Sequence, residues 1–419
     1  MAMKIVVVSK TADPVPTRTR TGSIPVTPAK EKKEFSMRKF RIHVLGVPHT
    51  RTNLDYTACA YTQKAFKFCK MMHERGHYIM HYGVEGSNPE CDENITVVSN
   101  EVYDRVYGSH NYKQKFFRYD VNDECYQTFY RNAIAEIHKR KQPYDIILPF
   151  WGAGVRPICD AFPDLITIEP GIGYGEGSWA EFRVFESYSI MHAYQGQRGV
   201  LECHPHFYDV VIPNYFDKDD FKFNGDIISR LYEPYFLFVG RVYNGKGVSV
   251  AIDVCKKLGV KLKVAGQLSD DYANYPWSDQ IEYVGYVDAQ QRSELMRNAV
   301  ASFLPSMYVE PFGGVQIENL LCGTPTITTD WGAFAENNIE GVTGYRCHTF
   351  DDFLNAALNC LEGKIHYEDC RRQGEKFTLE NVAPKYEKFF NDVLNIFQND
   401  GWYHIEDSTQ ERLDNFHGK

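Results

Sequence analysis

Paired cysteines, long apolar runs and net positive charge are all missing from this chain of 419 residues. Its eleven cysteines are an odd number, scattered, and none falls in a C-x-x-C pair. A secreted disulfide framework is denser and usually even, so the thiols read as reduced and the expected location is cytoplasmic. No apolar run approaches the roughly 18–20 residues that a membrane span needs. The stretch 5–8 is too short for the hydrophobic region of a signal peptide, and no small-residue cleavage site follows it. The net charge of −9 has the wrong sign for a non-specific nucleic-acid binder, which neutralises phosphates with Lys and Arg. Hydrophobic residues make up 43% and charged residues 24%, which excludes a wholly disordered or fibrous chain.

The charge is uneven. Residues 1–40 hold nine Lys/Arg against three Asp/Glu, so removing this +6 segment leaves a body at −15. Four prolines and the repeat Thr17-Arg18-Thr19-Arg20 make the segment a flexible basic tail. The sharper reading is an arm for an acidic membrane surface or a polyanion, which would place the protein peripherally at a membrane.

From residue 41 apolar strands alternate with amphipathic helices. Strands are expected at 42–47, 78–80, 95–98, 145–148, 165–168 and 209–212, with helices at 53–75, 124–140, 155–162 and 180–192. The pattern restarts after Pro213-Asn214, with strands at 235–239, 261–265, 281–284, 301–304 and 324–328. Alternation of this kind implies an α/β fold of two doubly wound parallel sheets. The expected segments are 1–40, 41–213, 214–381 and 382–419. Ligands of such sheets bind at the carboxyl ends of the strands, so the site belongs in a cleft between the halves.

Two segments carry chemistry. In Ser306–Glu318, Glu310 and Glu318 are separated by seven residues around Pro311-Phe312-Gly313-Gly314-Val315. Bare backbone N–H groups at a helix start form an anion-binding concavity, and the carboxylates suit sugar hydroxyls. In Phe238–Gly247, Gly240 precedes Arg241 and Lys246 in a Gly-rich strand-to-helix turn, where both cations can reach a diphosphate. Each segment has a plainer reading, as a capped helix start or as surface cations. His73-Glu74-Arg75-Gly76-His77 satisfies H-E-x-x-H, but Gly76 should end the helix between the two histidines. Cys203, His204 and His206 lack a fourth ligand at metal-site spacing. The loop Gly171–Gly177, with Gly173 and Tyr174, lacks the G-x-G-x-x-G spacing of a dinucleotide turn.

The order of F-V-G-R…G-K-G, Y-V-G-Y, P-S-x-x-x-E-P-F-G-G-x-x-x-E, C-G-T-P-T-I and G-x-x-x-E…G-x-T-G-Y resembles glycosyltransferase family 4. That resemblance is detailed over 235–397 and is one of layout only over 41–213. It implies the GT-B fold, with two Rossmann-like domains facing across a cleft. It also implies a retaining, metal-independent transferase that moves a hexosyl or pentosyl group from a UDP-, GDP- or similar nucleotide-sugar to a carbohydrate or other hydroxyl acceptor. No cofactor is implied, the nucleotide-sugar being a substrate.

The resemblance also assigns roles. Arg241 and Lys246 match the diphosphate pair. Glu310 matches the residue that contacts the donor sugar, and Glu318 the one that contacts the ribose. Gly240, Ser306, Pro311, Phe312, Gly313, Gly314 and Val315 fall in the donor-binding segments. Residues 41–213 become the acceptor side, 214–381 the nucleotide-sugar domain, and the helix at 382–397 crosses back to the first domain. His49 and Arg51 replace the family's usual Gly-rich loop. Glu169 stands where many members carry a His facing the sugar, a catalytic position in which a carboxylate could orient the acceptor hydroxyl or stabilise positive charge on the sugar. His49, Arg51, Gly171, Gly173, Tyr174 and Arg183 would line the acceptor side. Three alternatives stay open: a phosphorylase or sucrose-type enzyme on the same fold, a transferase acting on modified DNA, and an idle sugar-binding protein.

Overall fold

The computed structural model describes residues 38–175, 177–197 and 208–399. The basic tail read at 1–40 lies outside them except for its last three residues. So do Glu176, residues 400–419 and the group Cys203, His204 and His206.

The described chain forms two all-parallel sheets. In the first, β1 (Arg41–Leu45), β2 (Tyr78–Val84), β3 (Glu93–Val98), β4 (Ile146–Pro149), β5 (Ile166–Ile172), β6 (Phe182–Phe185) and β7 (Val210–Val211) lie in the order β3-β2-β1-β4-β5-β6-β7. In the second, β8 (Tyr235–Val239), β9 (Lys261–Ala265), β10 (Ile281–Gly285), β11 (Ala301–Leu304), β12 (Thr326–Thr329) and β13 (Gly344–Cys347) lie in the order β10-β9-β8-β11-β12-β13. The central strands are largely buried because parallel sheets carry helices on both faces. Ile42, Val44 and Leu45 of β1 are fully buried, as are Phe236 and Leu237 of β8. In each sheet the strand order reverses at one point, between β1 and β4 and between β8 and β11. A ligand crevice opens beyond the strand ends at such a point.

Two of the helix boundaries that differ from the sequence expectation shape the site. The helix expected from residue 53 begins at Ala60 and runs to Glu74. Asn53 instead accepts a hydrogen bond from the Asp55 backbone N–H and opens a short 3₁₀ turn, Leu54–Tyr56. Such a local side-chain bond competes with helix entry. The helix expected at 180–192 is a strand and then a helix. Phe182–Phe185 pairs with β5 as β6, and Ser187 caps a helix at Tyr188–Gly196. The bulky side chains of β6 are all buried and fit a sheet interior better than a half-exposed helix.

The helix Leu379–Gln398 packs on the first sheet rather than the second. Val382, Tyr386, Phe389, Phe390 and Val393 share a core with Phe40, Ile42, Phe68 and Met72. Glu387 on this helix accepts two bonds from Arg75 at 2.6 Å each and one from His77 Nε2 at 3.1 Å, the Nδ1 of that ring accepting from the Phe40 N–H. Those contacts also resolve the H-E-x-x-H pattern. The Ala60–Glu74 helix ends before Gly76, at φ +78, and His73 turns instead to Asp92. No helix among the described residues is long and apolar enough to cross a membrane.

Candidate functional site

The strand ends at the two switch points face one cavity of about 770 Å³. From the first sheet, His49 follows β1 and Trp151 follows β4. From the second, Gly240 and Arg241 follow β8, and Tyr308 and Glu310 follow β11. The order of the strands therefore gathers residues far apart in sequence.

Two helices point their N-termini at the cavity. Residues 57–61 at the start of the Ala60–Glu74 helix line it, as do Gly313 and Gly314 at the start of Gly314–Leu321. Neither helix has a side-chain cap, whereas Ser99, Asp123, Ser187, Asp288 and Thr349 cap theirs. Uncapped first-turn N–H groups, at the positive end of the helix dipole, favour an anion. Gly313 sits at φ +77, and a Cβ there would lie 2.5 Å from the Phe334 ring, so the close turn requires glycine.

Cations and carboxylates are interleaved across this floor. Lys246 Nζ donates to Glu310 Oε2 at 2.7 Å, and Ser306 Oγ donates to the same oxygen at 2.8 Å. Glu310 is thus fixed from two sides, and its charge is balanced before any ligand arrives. Arg241 stacks near Phe116 and Tyr243, at 5.3 and 5.5 Å, and has no carboxylate partner among the described residues. Glu318 pairs with Arg292 through Oε1 at 3.1 Å, while its buried Oε2 has no hydrogen-bond partner. A buried carboxylate oxygen left unpaired costs about 1–3 kcal/mol, which a ligand hydroxyl would recover. Burial lowers the pKa of Lys67, which lies 4.8 Å over the Phe216 ring with Glu318 nearby.

The first-sheet wall is aromatic. His49 lies 4.8 Å from Trp151, 5.4 Å from Tyr119 and 6.1 Å from Tyr126, and Tyr61 lies 4.8 Å from Trp151. Desolvation pushes His49 down to about 3, so its ring is neutral at ordinary pH. Its Nδ1 is 2.7 Å from the Tyr126 hydroxyl. One ion pair interrupts this wall: Lys64 donates to Glu186 and, at 2.9 Å, to the Gly171 carbonyl. A Cβ at Gly173 would come within 2.7–2.9 Å of the Glu186 carboxyl, so the bare backbone leaves that carboxylate its place.

The cavity therefore takes in His49, Gly173, Gly240, Arg241, Lys246, Glu310, Pro311, Phe312, Gly313, Gly314, Val315 and Glu318. Ser306 stands behind it, bonded to Glu310. Arg51, Glu169, Gly171, Tyr174 and Arg183 are not among its lining residues. Arg51 is held by the Glu85 carbonyl, Tyr56, Asn100 and Asp104. Glu169 is fully buried and accepts from Tyr174, from Ser178 Oγ at 2.9 Å and from the Trp179 and Ala180 N–H groups at 3.0 and 3.2 Å. It pins the loop that follows β5. Arg183 is buried in a two-pronged pair with Asp209, at 2.8 Å for each bond. Lys64, Lys67, Trp151, Glu186 and Arg292 also line the cavity and escape the motif reading. The spacing of three between Lys64 and Lys67, on the helix that starts at the cavity, was the available signal.

The sheets also touch beside the cavity. Glu336 accepts from the Tyr188 N–H at 3.0 Å and from the Ser189 N–H and Oγ at 2.7 Å each. Ser187 Oγ donates to the Pro311 carbonyl at 2.6 Å.

Residues 222–377, which hold Arg241, Lys246, Glu310 and Glu318, match the family model described as "Glycosyl transferases group 1". This segment, in the second half of the chain, is similar to that family's domain. Over 122 residues the chain is 35% identical to a glycogen synthase of Mycobacterium tuberculosis, covering 26% of this chain and 29% of that protein. The chain thus spans under a third of the length of that curated relative. Among solved structures, a sucrose-phosphate synthase from Thermosynechococcus elongatus superposes with a TM-score of 0.62 at 15% identity, over 85% of this chain and 99% of that one. HepE from Anabaena, solved with UDP and glucose, gives 0.59 at 15% identity, over 84% and 100%. The architecture shared with these structures is the GT-B fold, and the matching residues 222–377 lie in its second half.

Proposed function

We propose that the protein is a retaining glycosyltransferase that moves a sugar from a nucleotide-sugar to an acceptor hydroxyl. One observation carries this reading: Arg241, Lys246 and two uncapped helix N-termini meet in the same cavity as Glu310 and the half-paired Glu318. The cations and N–H groups suit a diphosphate. The two carboxylates, with seven residues between them in one motif, suit the hydroxyls at either end of the donor.

In this reading the bond between the sugar's anomeric carbon and the diphosphate oxygen breaks as the acceptor oxygen bonds that carbon from the same face. The acceptor proton passes to the leaving phosphate. Charge growing on the diphosphate is met by Arg241, Lys246 and the first-turn N–H groups, already in place before reaction. Glu310, anchored by Lys246 and Ser306, orients the sugar, and Glu318 takes ribose hydroxyls. The chain's own cations match the leaving charge, so the reading assigns no metal and no side-chain nucleophile.

Thermal-shift measurements with UDP-, GDP-, ADP- and dTDP-sugars test it, because a ligand that binds the folded state raises the melting temperature. One nucleotide series should stabilise the protein, and Lys246→Ala should abolish that shift. Product NMR should show the donor's anomeric configuration kept. If sugar 1-phosphates react in place of nucleotide-sugars, the enzyme is a phosphorylase and the donor assignment falls.

A further inference from the structure

We propose that the first-sheet wall is a platform for a neutral pyranoside acceptor, which lies against the rings around Trp151. This inference rests on the transferase reading and names its acceptor class.

The rings form one connected surface. Tyr61 and Tyr119 both meet Trp151 edge-on at 88°, at 4.8 and 5.0 Å, and His49 closes the group. The indole sits close over Gly154, where a Cβ would lie 2.2 Å from its Cδ1. Tyr119 and Phe116 remain 55% and 41% exposed, and Phe116 also lines the cavity. Large apolar rings left open at a cavity mouth mark a binding surface.

Charge then selects among ligands. The charged groups beside these rings are Lys64, which donates to Glu186, and Arg241, which lies 5.3 Å over Phe116 and faces the donor diphosphate in the transferase reading, while burial keeps His49 uncharged. Lys67 lies off to the side, over Phe216. An anionic or lipid-phosphate acceptor would need a cation on this wall beyond Lys64, which Glu186 holds, and Arg241, which the donor diphosphate takes. A pyranose offers what the wall can hold. Its C–H face is apolar and slightly positive, matching the negative face of an aromatic ring. Its rim hydroxyls would meet the Glu186 carboxylate, which is held at the cavity edge by Lys64.

The test uses full-length protein. Methyl pyranosides and neutral oligosaccharides should quench tryptophan fluorescence and accept sugar, whereas glucuronides and sugar phosphates should do neither. Trp151→Ala should raise the acceptor KM at least tenfold, with the donor Kd changed less than twofold. Tyr119→Ala, at a ring that is 55% exposed, should raise the acceptor KM at least threefold. Unchanged acceptor KM in both variants, or preference for anionic acceptors, overturns the proposal. Equal quenching by p-nitrophenol and by methyl pyranosides would mean an aromatic aglycone instead, and would overturn it as well. If no nucleotide-sugar binds, the transferase reading fails by itself. Pyranoside quenching in the wild type, lost in Trp151→Phe, would still report the platform, and its absence would refute it.

Discussion

Replacing Glu310 by Gln should tighten the hold on a bare nucleoside diphosphate while slowing sugar transfer. The carboxylate shares Lys246 with any incoming diphosphate, and its own charge opposes the phosphates. The pair is mostly out of water, with side-chain exposures of 22% for Lys246 and 11% for Glu310. A hydrogen bond to a charged partner contributes about 1.5–3 kcal/mol and a neutral one about 0.5–1.5 kcal/mol. Glu310→Gln keeps the shape and the Ser306 contact but holds Lys246 about 1 kcal/mol less firmly. Released to the ligand, that amount corresponds to an affinity gain of about fivefold. At the sugar end, a charged contact made to the reacting ring is lost, and about 2–3 kcal/mol there lowers kcat by about 30–150-fold. Isothermal titration with the preferred nucleoside diphosphate and a steady-state transfer assay measure the two effects separately. The reasoning is refuted if Glu310→Gln weakens diphosphate binding as Lys246→Ala does, because Glu310 would then be supporting the phosphate site rather than competing for its lysine.

Phe390→Ala empties a fully buried position in the first core and should cost about 3–5 kcal/mol, read as a lower urea midpoint. Stability should also fall with acid. His49 and His81 titrate at about 3 and about 4 when folded but near 6.5 when unfolded, so between these values the unfolded chain binds more protons. Each histidine then adds a loss approaching about 1.4 kcal/mol per pH unit as pH drops below 6.5, and His49→Phe should flatten the urea-midpoint curve between pH 6 and pH 4.5. Glu336→Gln weakens an exposed cross-sheet contact to the Ser187-capped helix, by about 0.5–1 kcal/mol, and should raise the donor KM without moving the melting temperature by more than a few degrees.

Local pattern made the second sheet and its site readable. Arg241, Lys246, Glu310, Gly313, Gly314 and Glu318 all sit within motifs whose spacing places them at strand ends and a helix start. Contributions from the first sheet follow from topology instead. Trp151 reaches His49 only because β4 lies next to β1, a pairing between residues about 100 apart that no local periodicity reports. Glu186 was hidden by reading 180–192 as one helix, where a buried strand and a serine cap divide the segment. Glu169 shows the converse. Its place after an apolar run fits a cleft residue, yet four donors from its own following loop enclose it.

The helix Leu379–Gln398 has a consequence for synthesis. It supplies Val382, Tyr386, Phe389 and Phe390 to the core under β1, whose own residues emerge from the ribosome more than 330 residues earlier. Domains that fold during translation do so as their last core segment appears. Here the first sheet must wait, with Phe40, Phe68 and Met72 uncovered, through the making of the whole second half. The second sheet, whose core needs nothing beyond residue 377, can close first. Order of folding and order of sequence are therefore reversed between the two sheets, and the first sheet is the one left open to chaperones for longer.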